Sequence, residues 1–113
     1  MRVLLDECLP RKLAGEIPGH TVTTVPKAGL AGIVNGTLLK RLDGRFDAFI
    51  TIDKSLPSQQ NTAALSFAIV VLRARSNRLK DLRPLVPQIL TALGTVKAGQ
   101  VVVIAVVRPN ASD

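Results

Sequence analysis

The chain has 113 residues and a formal net charge of +7, and 47% of its residues are hydrophobic. This is the size of one domain with a real core, so we expect a single domain over residues 1–113. Aromatic residues make up only 3%, with no Trp and no Tyr, which excludes an aromatic platform for stacking single-stranded bases. The excess of cations favours phosphate backbones or other acidic partners, although it also suits a merely basic soluble protein.

The single cysteine, Cys8, excludes an internal disulfide and indicates a reducing compartment. The first residues have the pattern of a strand rather than of a signal peptide. No apolar run approaches the roughly 20 residues of a membrane span. We therefore predict a cytoplasmic protein with no membrane segment.

Five apolar runs alternate with amphipathic segments along the chain. The predicted strands are 3–5, 20–25, 49–52, 67–72 and 100–107. The predicted helices are a short one that starts near Pro10, a second over 37–42, and a third over 81–93 that prolines interrupt near its start. This alternation predicts an α/β fold, with a mostly parallel five-stranded sheet and helices on both faces.

Two of the predicted strands end in carboxylates. The first leads directly into Asp6 and Glu7, and the third leads into Asp53. Because α/β proteins bind ligands at the carboxyl ends of their strands, we expect these three side chains to meet there. Carboxylates gathered without a cation repel one another, and hard oxygen ligands favour Mg²⁺ or Mn²⁺ over zinc. The simpler interpretation is that Asp6 or Glu7 only caps the following helix.

Basic residues follow the fourth strand. Arg73 and Arg75 come first, and five cations lie between positions 73 and 83. If this strand is parallel to the others, the guanidinium groups emerge beside the carboxylates, where they suit phosphate oxygens. The alternative is an ordinary solvated loop. The residues we assign to substrate contact are Asn35, Lys54, Gln60, Asn61, Arg73, Arg75 and Asn77. For Asn35 the plain interpretation is a cap on helix 37–42.

Four segments are similar to short bacterial PIN-like domain proteins, which are predicted ribonucleases and are often regarded as toxins of toxin–antitoxin pairs. These segments are VLLDECLP (3–10), NGTLL (35–39), ITIDKSL (50–56) and VVLRARSNR (70–78). The resemblance extends from residue 2 to about residue 93. It implies a three-layer α/β/α PIN-like fold with sheet order 3-2-1-4-5, and a Mg²⁺ or Mn²⁺ site.

The resemblance also implies roles for individual residues. Asp6 and Asp53 would be metal ligands, and Glu7 would be a ligand or would orient a water. Asn35 stands where many relatives carry an acid, and Arg73 stands where longer PIN nucleases carry a fourth acid. The implied function is hydrolysis of RNA, with a small antitoxin protein as partner. Because Asn35 and Arg73 replace acids of the family pattern, the protein could also be a weakened nuclease or a module that only binds nucleic acid. Exposed Val and Leu residues near the end of the chain leave room for a homodimer.

A phosphorylation receiver domain is the alternative. It too carries paired acids after strand one and an aspartate after strand three, and the segment DKSLP (53–57) resembles its Asp-x-x-Met-Pro turn. Three features count against a receiver. Strand four ends in Arg73 where a Ser or Thr is expected close by, strand five has no lysine at its end, and no helix is expected after it.

Overall fold

The computed structural model of the chain describes residues 1–56 and 61–105. Its centre is a five-stranded sheet in which every pair of neighbouring strands is parallel. The strands are β1 (Arg2–Leu5), β2 (Thr21–Thr24), β3 (Ala48–Thr51), β4 (Ala68–Arg73) and β5 (Val101–Ala105). The predicted α/β fold is confirmed. The predicted order 3-2-1-4-5 is wrong, because the strands lie in the order β2-β1-β3-β4-β5.

The observed order follows from the different polarity of the second and third strands. β2 is Thr-Val-Thr-Thr and is only partly buried, whereas all four residues of β3 are buried. An edge strand has a neighbour on one side only and tolerates exposed hydroxyl groups, while an interior strand of a parallel sheet is covered on both faces. β2 therefore occupies the edge, and β3 lies between β1 and β4.

The helical segments are short. The α-helices are α1 (Asn35–Leu42), α2 (Leu79–Leu82) and α3 (Val86–Leu93), and 3-10 turns occur at Arg11–Glu16, Thr62–Ala64 and Arg83–Leu85. The predicted helix 81–93 is divided because Pro84 and Pro87 lack the N–H groups that a continuous helix needs. Within the two described ranges, no helix has the length and apolar character to cross a membrane.

Apolar side chains cover both faces of the sheet. One core cluster packs the Arg11–Glu16 turn, α2 and α3 against Val3, Leu5 and Ile50. The other packs α1 and the loop before it against Leu4 and Phe49. The helical segments therefore lie on both faces, as predicted. The successive residues of β1 face opposite sides of the sheet, which explains why a continuous apolar run was needed there.

The centre of the sheet contains the point where the strand order reverses. β1 and β3 are hydrogen-bonded neighbours in the sheet, although β2 comes between them in the sequence. This is the flavodoxin-like doubly wound order, in which ligands bind at the carboxyl ends of the two strands that flank the reversal. We call the side of the sheet where the strands end the carboxyl edge, and the opposite side the amino edge.

Candidate active site

Asp6 directly follows β1 at the reversal point and is only 9% exposed. Its backbone N–H donates to the carbonyl of Ile50 at 2.9 Å, so the chain is still held by β3 at this position. Its carboxylate accepts hydrogen bonds from the Thr51 hydroxyl at 2.7 Å and from the backbone N–H of Glu7 at 2.8 Å. The 3-10 turn that follows has no side-chain cap, so the interpretation of Asp6 or Glu7 as a helix cap is wrong.

Thr51 connects the two aspartates at the strand ends. Its fully buried hydroxyl donates to Asp6 and accepts a hydrogen bond from the backbone N–H of Asp53 at 3.0 Å. The Asp53 carboxylate in turn accepts from the backbone N–H of Ser55 at 3.0 Å and from its hydroxyl at 2.7 Å. Asp6 and Asp53 therefore lie at the same edge of the sheet, and a single hydroxyl group links their two loops.

Cys8 is a half-buried free thiol beside this pair. Burial raises the pKa of the Cys8 thiol, and the charge of the neighbouring Asp6 carboxylate raises it further, against a lowering hydrogen bond from the backbone of Ile52. A thiol with a raised pKa stays protonated at neutral pH and is a poor nucleophile. Cys8 is therefore a packing residue beside Asp6 rather than a nucleophile.

The three carboxylates predicted to share a metal ion do not form one cluster. In residues 1–56 and 61–105, no group of three His, Cys, Asp or Glu side chains is placed to hold an ion. Glu7 is exposed and lines a separate cleft on the β2 side of the carboxyl edge. Two carboxylates, Asp6 and Asp53, remain at the reversal point, and Mg²⁺ sites in proteins commonly use one or two carboxylates together with water and substrate phosphate.

The predicted phosphate-binding cations lie in the loop after β4. Arg73 is the exposed last residue of this strand, and the register between β3 and β4 carries it to the level of Asp53. Arg73, Arg75 and Lys80 line a cleft of about 520 Å³ at the end of β4 and β5. Such cations would raise the local concentration of a phosphate backbone.

The basic loop is held in place by two side-chain hydrogen bonds. The Asn77 amide donates to the carbonyl of Cys8 at 2.8 Å, which ties the loop after β4 to the loop after β1. The Ser76 hydroxyl donates to Asp81 at 2.5 Å and accepts from the backbone N–H of Arg78 at 3.0 Å. Asn77, predicted to contact substrate, therefore has a structural bond that joins the loop after β4 to the loop after β1.

The remaining predicted residues lie at different places. Lys54 is exposed and directly follows Asp53 at the carboxyl edge. Gln60 lies outside the described residues. Asn61 precedes the Thr62–Ala64 turn, which packs against Gly99 near the start of β5, and so lies toward the amino edge.

The prediction that the second helix begins at residue 37, after a cap at Asn35, is wrong in its bounds. The helix α1 begins at Asn35 itself, and Val34 occupies the cap position without a side-chain hydrogen bond. The assignment of Asn35 to substrate contact stays a prediction.

Two residues of the site were not predicted from the sequence. Thr51 lies inside the predicted strand 49–52, and Cys8 entered the sequence argument only as the residue that excludes a disulfide. The two-residue period of a strand could have identified Thr51, because residues 51 and 53 are two apart and therefore face the same side of the sheet. A polar Thr two residues before an aspartate at a strand end is a candidate partner for that site.

No protein-family model, no curated protein and no solved structure matches the chain. The similarity to PIN-like proteins consequently depends on the four short segments and on the chemistry of the residues described above.

Proposed function

We propose that this protein is a ribonuclease that hydrolyses RNA phosphodiester bonds with a Mg²⁺ or Mn²⁺ ion held by Asp6 and Asp53. The observation that carries the proposal is the joining of two strand-end aspartates through Thr51 at the reversal point of the sheet. The PIN-like segments and the net charge of +7 also support it. Such an ion would polarise the phosphodiester as a Lewis acid and would lower the pKa of a water molecule bound to it.

The chain's own residues have three tasks in this proposal. Asp6 and Asp53 provide negative oxygen ligands whose orientation the Thr51 hydroxyl and the Ser55 backbone fix. Arg73 and Arg75 hold the RNA backbone and offset charge that develops on phosphate oxygens. The buried position of Asp6 excludes bulk water from one side of the site, which strengthens each electrostatic contact there.

The test is cleavage of labelled single-stranded RNA by the purified chain in Mn²⁺, compared with the Asp6→Asn variant. We expect the wild-type protein to cut and the variant to lose at least about 99% of the activity, because one charged ligand is gone. Asp43→Asn is the matched control, since Asp43 is an exposed aspartate at the end of α1 near the amino edge. It should cut like the wild-type chain.

The outcomes separate the alternatives. Equal cleavage by the wild-type chain and by Asp6→Asn would overturn the proposal, because a contaminating nuclease would then explain the activity. No cleavage by any variant, together with RNA binding in EDTA that requires Arg73 and Arg75, would identify a module that only binds nucleic acid.

We further propose that the protein is the toxin of a toxin–antitoxin pair in the cytoplasm, with a small antitoxin as partner. This rests on the PIN-like segments alone. Expression of the chain by itself should slow bacterial growth, and expression of Asp6→Asn should not. Equal growth in both strains would remove the support for a toxin.

A phosphoacceptor receiver is the second candidate, and the sheet order is the observation that favours it. Response regulators of the flavodoxin-like order carry their ligand site at the same reversal point, and Asp53 stands at the end of β3 beside it. Incubation with acetyl phosphate and Mg²⁺ should then add one phosphoryl group to the wild-type chain but not to Asp53→Asn, as measured by intact mass. The ribonuclease proposal expects no added mass in either protein.

A further inference from the structure

A cleft at the carboxyl edge lies beside the aspartate pair, not between the aspartates. It has a volume of about 690 Å³ and separates the Arg11–Glu16 turn from the edge strand β2. This volume is within the range of about 300–1,000 Å³ that is usual for small-molecule sites. Glu7 lines it and directly follows Asp6 in the chain, so the cleft begins where the proposed catalytic residues end.

The floor of the cleft is apolar. Leu9, Ala14 and Val22 line it, and the last two are only partly buried, so part of their surface is open to a ligand. The 3-10 turn explains this exposure. It places Leu13 and Ile17 fully in the core and leaves the small Ala14 facing the edge strand. The missing bulk at position 14 is what keeps the cleft open.

The rim of the cleft is charged, with two cations and one carboxylate. Arg11 begins the 3-10 turn and Lys27 lies in the loop after β2, so the two positive groups approach from different elements. Both side chains are exposed, and neither forms an ion pair with another residue in the described ranges. Glu7 adds one hydrogen-bond acceptor to this rim.

We propose that this cleft binds one ribonucleotide of the RNA strand, next to the bond that is cut. An apolar floor suits the face of a base, two separated cations suit a phosphate, and a carboxylate accepts a hydrogen bond from a ribose hydroxyl. The chain offers no Trp or Tyr for stacking, so a base here contacts aliphatic carbon and the Arg11 guanidinium plane. The inference rests on the proposed function for its link to cleavage, but the binding itself does not require a metal ion.

The test is titration of the full chain with 5′-AMP in EDTA, followed by NMR chemical shifts. We expect a dissociation constant near 1 mM or tighter for the wild-type chain, with shifts at Ala14 and Val22. Ala14→Leu fills the floor and should weaken binding at least about tenfold. Its matched control is Ala64→Leu, which adds the same bulk at an exposed alanine of the Thr62–Ala64 turn.

A second pair of variants keeps the test decisive if Ala14→Leu fails to fold. The double variant Arg11→Gln with Lys27→Gln should bind at least about tenfold more weakly. Its control is Arg41→Gln with Lys97→Gln, which removes two exposed cations elsewhere and gives the same net charge. Equal weakening by both double variants would show that only the overall charge attracts the nucleotide, and would overturn the proposal.

The Glu7 contact has its own measurement. 2′-Deoxy-AMP should bind at least about threefold more weakly than AMP to the wild-type chain. Glu7→Ala has no side-chain acceptor at this position and should bind the two nucleotides equally well. No binding of AMP by the wild-type chain at about 10 mM would overturn the cleft proposal outright. The Asp6→Asn cleavage assay would still decide the ribonuclease proposal separately, since it measures RNA cleavage in Mn²⁺ and not AMP binding in EDTA.

Discussion

The aspartates at the two edges of the sheet have different hydrogen-bond and ion-pair partners. At the amino edge, Asp47 accepts a hydrogen bond from the Arg2 backbone at 2.7 Å and forms an ion pair with the Arg2 guanidinium at 3.3 Å. These contacts with Arg2 lower the pKa of the Asp47 carboxyl. At the carboxyl edge, Asp6 is more deeply buried, and its hydrogen-bond donors are the neutral Thr51 hydroxyl and Glu7 backbone.

This difference separates an aspartate that serves the fold from one that fits a function. A carboxylate paired with arginine has its charge neutralised by the chain itself. A buried carboxylate whose donors are neutral retains a net negative potential, which costs stability unless a cation from outside occupies the position. The cations of the loop after β4 line a separate, exposed cleft at the ends of β4 and β5, where they can face a phosphate.

The largest expected effect is on RNA cleavage. Asp53→Asn should lower the rate in Mn²⁺ at least about a hundredfold, because it removes a charged ligand at the reversal point. Asp47→Asn should leave the rate within about twofold, since the amino edge takes no part in the chemistry. Single-turnover cleavage of labelled RNA measures both. A similar loss in the two variants would erase the distinction between the edges.

The next effect concerns the link between the aspartates. Thr51→Val should lower cleavage about 10–100-fold, as loss of a partner behind a metal ligand usually does. It should also lower the free energy of unfolding by about 1–3 kcal/mol, because the Asp6 carboxylate loses a donor and the Asp53 backbone N–H loses its acceptor. Thr51→Ser keeps the hydroxyl and should recover most of both quantities.

Urea unfolding and cleavage rates measure this second effect. The control is Thr21→Val, which changes an exposed threonine of β2 and should alter neither value appreciably. Full activity in Thr51→Val would mean that the hydroxyl does not position the site.

A smaller effect is expected at Cys8. Burial and the Asp6 charge raise the pKa of the thiol, so it should react slowly with iodoacetamide at pH 8. Asp6→Asn removes the charge and should speed alkylation by about threefold or more, because a lower thiol pKa gives a larger thiolate fraction. Mass spectrometry at timed intervals measures the rate. An unchanged rate in Asp6→Asn, or an equal increase in Asp47→Asn, would contradict the described contact.

The smallest effect is on stability at the amino edge. Asp47→Asn should lower the free energy of unfolding at pH 7 by no more than about 1 kcal/mol, the usual value of an exposed ion pair. The pKa of Asp47 is lowered in the folded chain, so its stabilisation is present above the ordinary value of 3.8 and is lost as the pH falls below it. Urea unfolding at several pH values should show the difference between the proteins shrinking in acid. A difference that grows in acid would contradict the assigned ion pair.

Much of the fold could be predicted because its signals are local. Apolar runs and helical spacing gave five strands and the outer ends of the helical segments to within two residues at the ends that the structure describes. The strand order was not local, since periodicity says nothing about which strands become neighbours. The Thr-rich composition of β2 was the available clue to its edge position.

The site was predicted in part for the same reason. The position of Asp6 and Asp53 at one edge follows from their place after parallel strands. Glu7 was expected with them, but consecutive residues leave a strand in opposite directions, and Glu7 lines the neighbouring cleft instead. Asn77 was expected to contact substrate and is bonded to the Cys8 carbonyl across 69 residues, a distance that no local pattern encodes.

The sequence by itself determined that a parallel α/β sheet would form and that carboxylates and arginines would emerge where its strands end. Those properties depend on residue type and on spacing along the chain. Only the tertiary structure decided that β1 and β3 are neighbours, that Thr51 joins their aspartates, and that Glu7 faces another cleft. These are pairings between distant segments, and they are fixed by how the elements pack together rather than by any one of them.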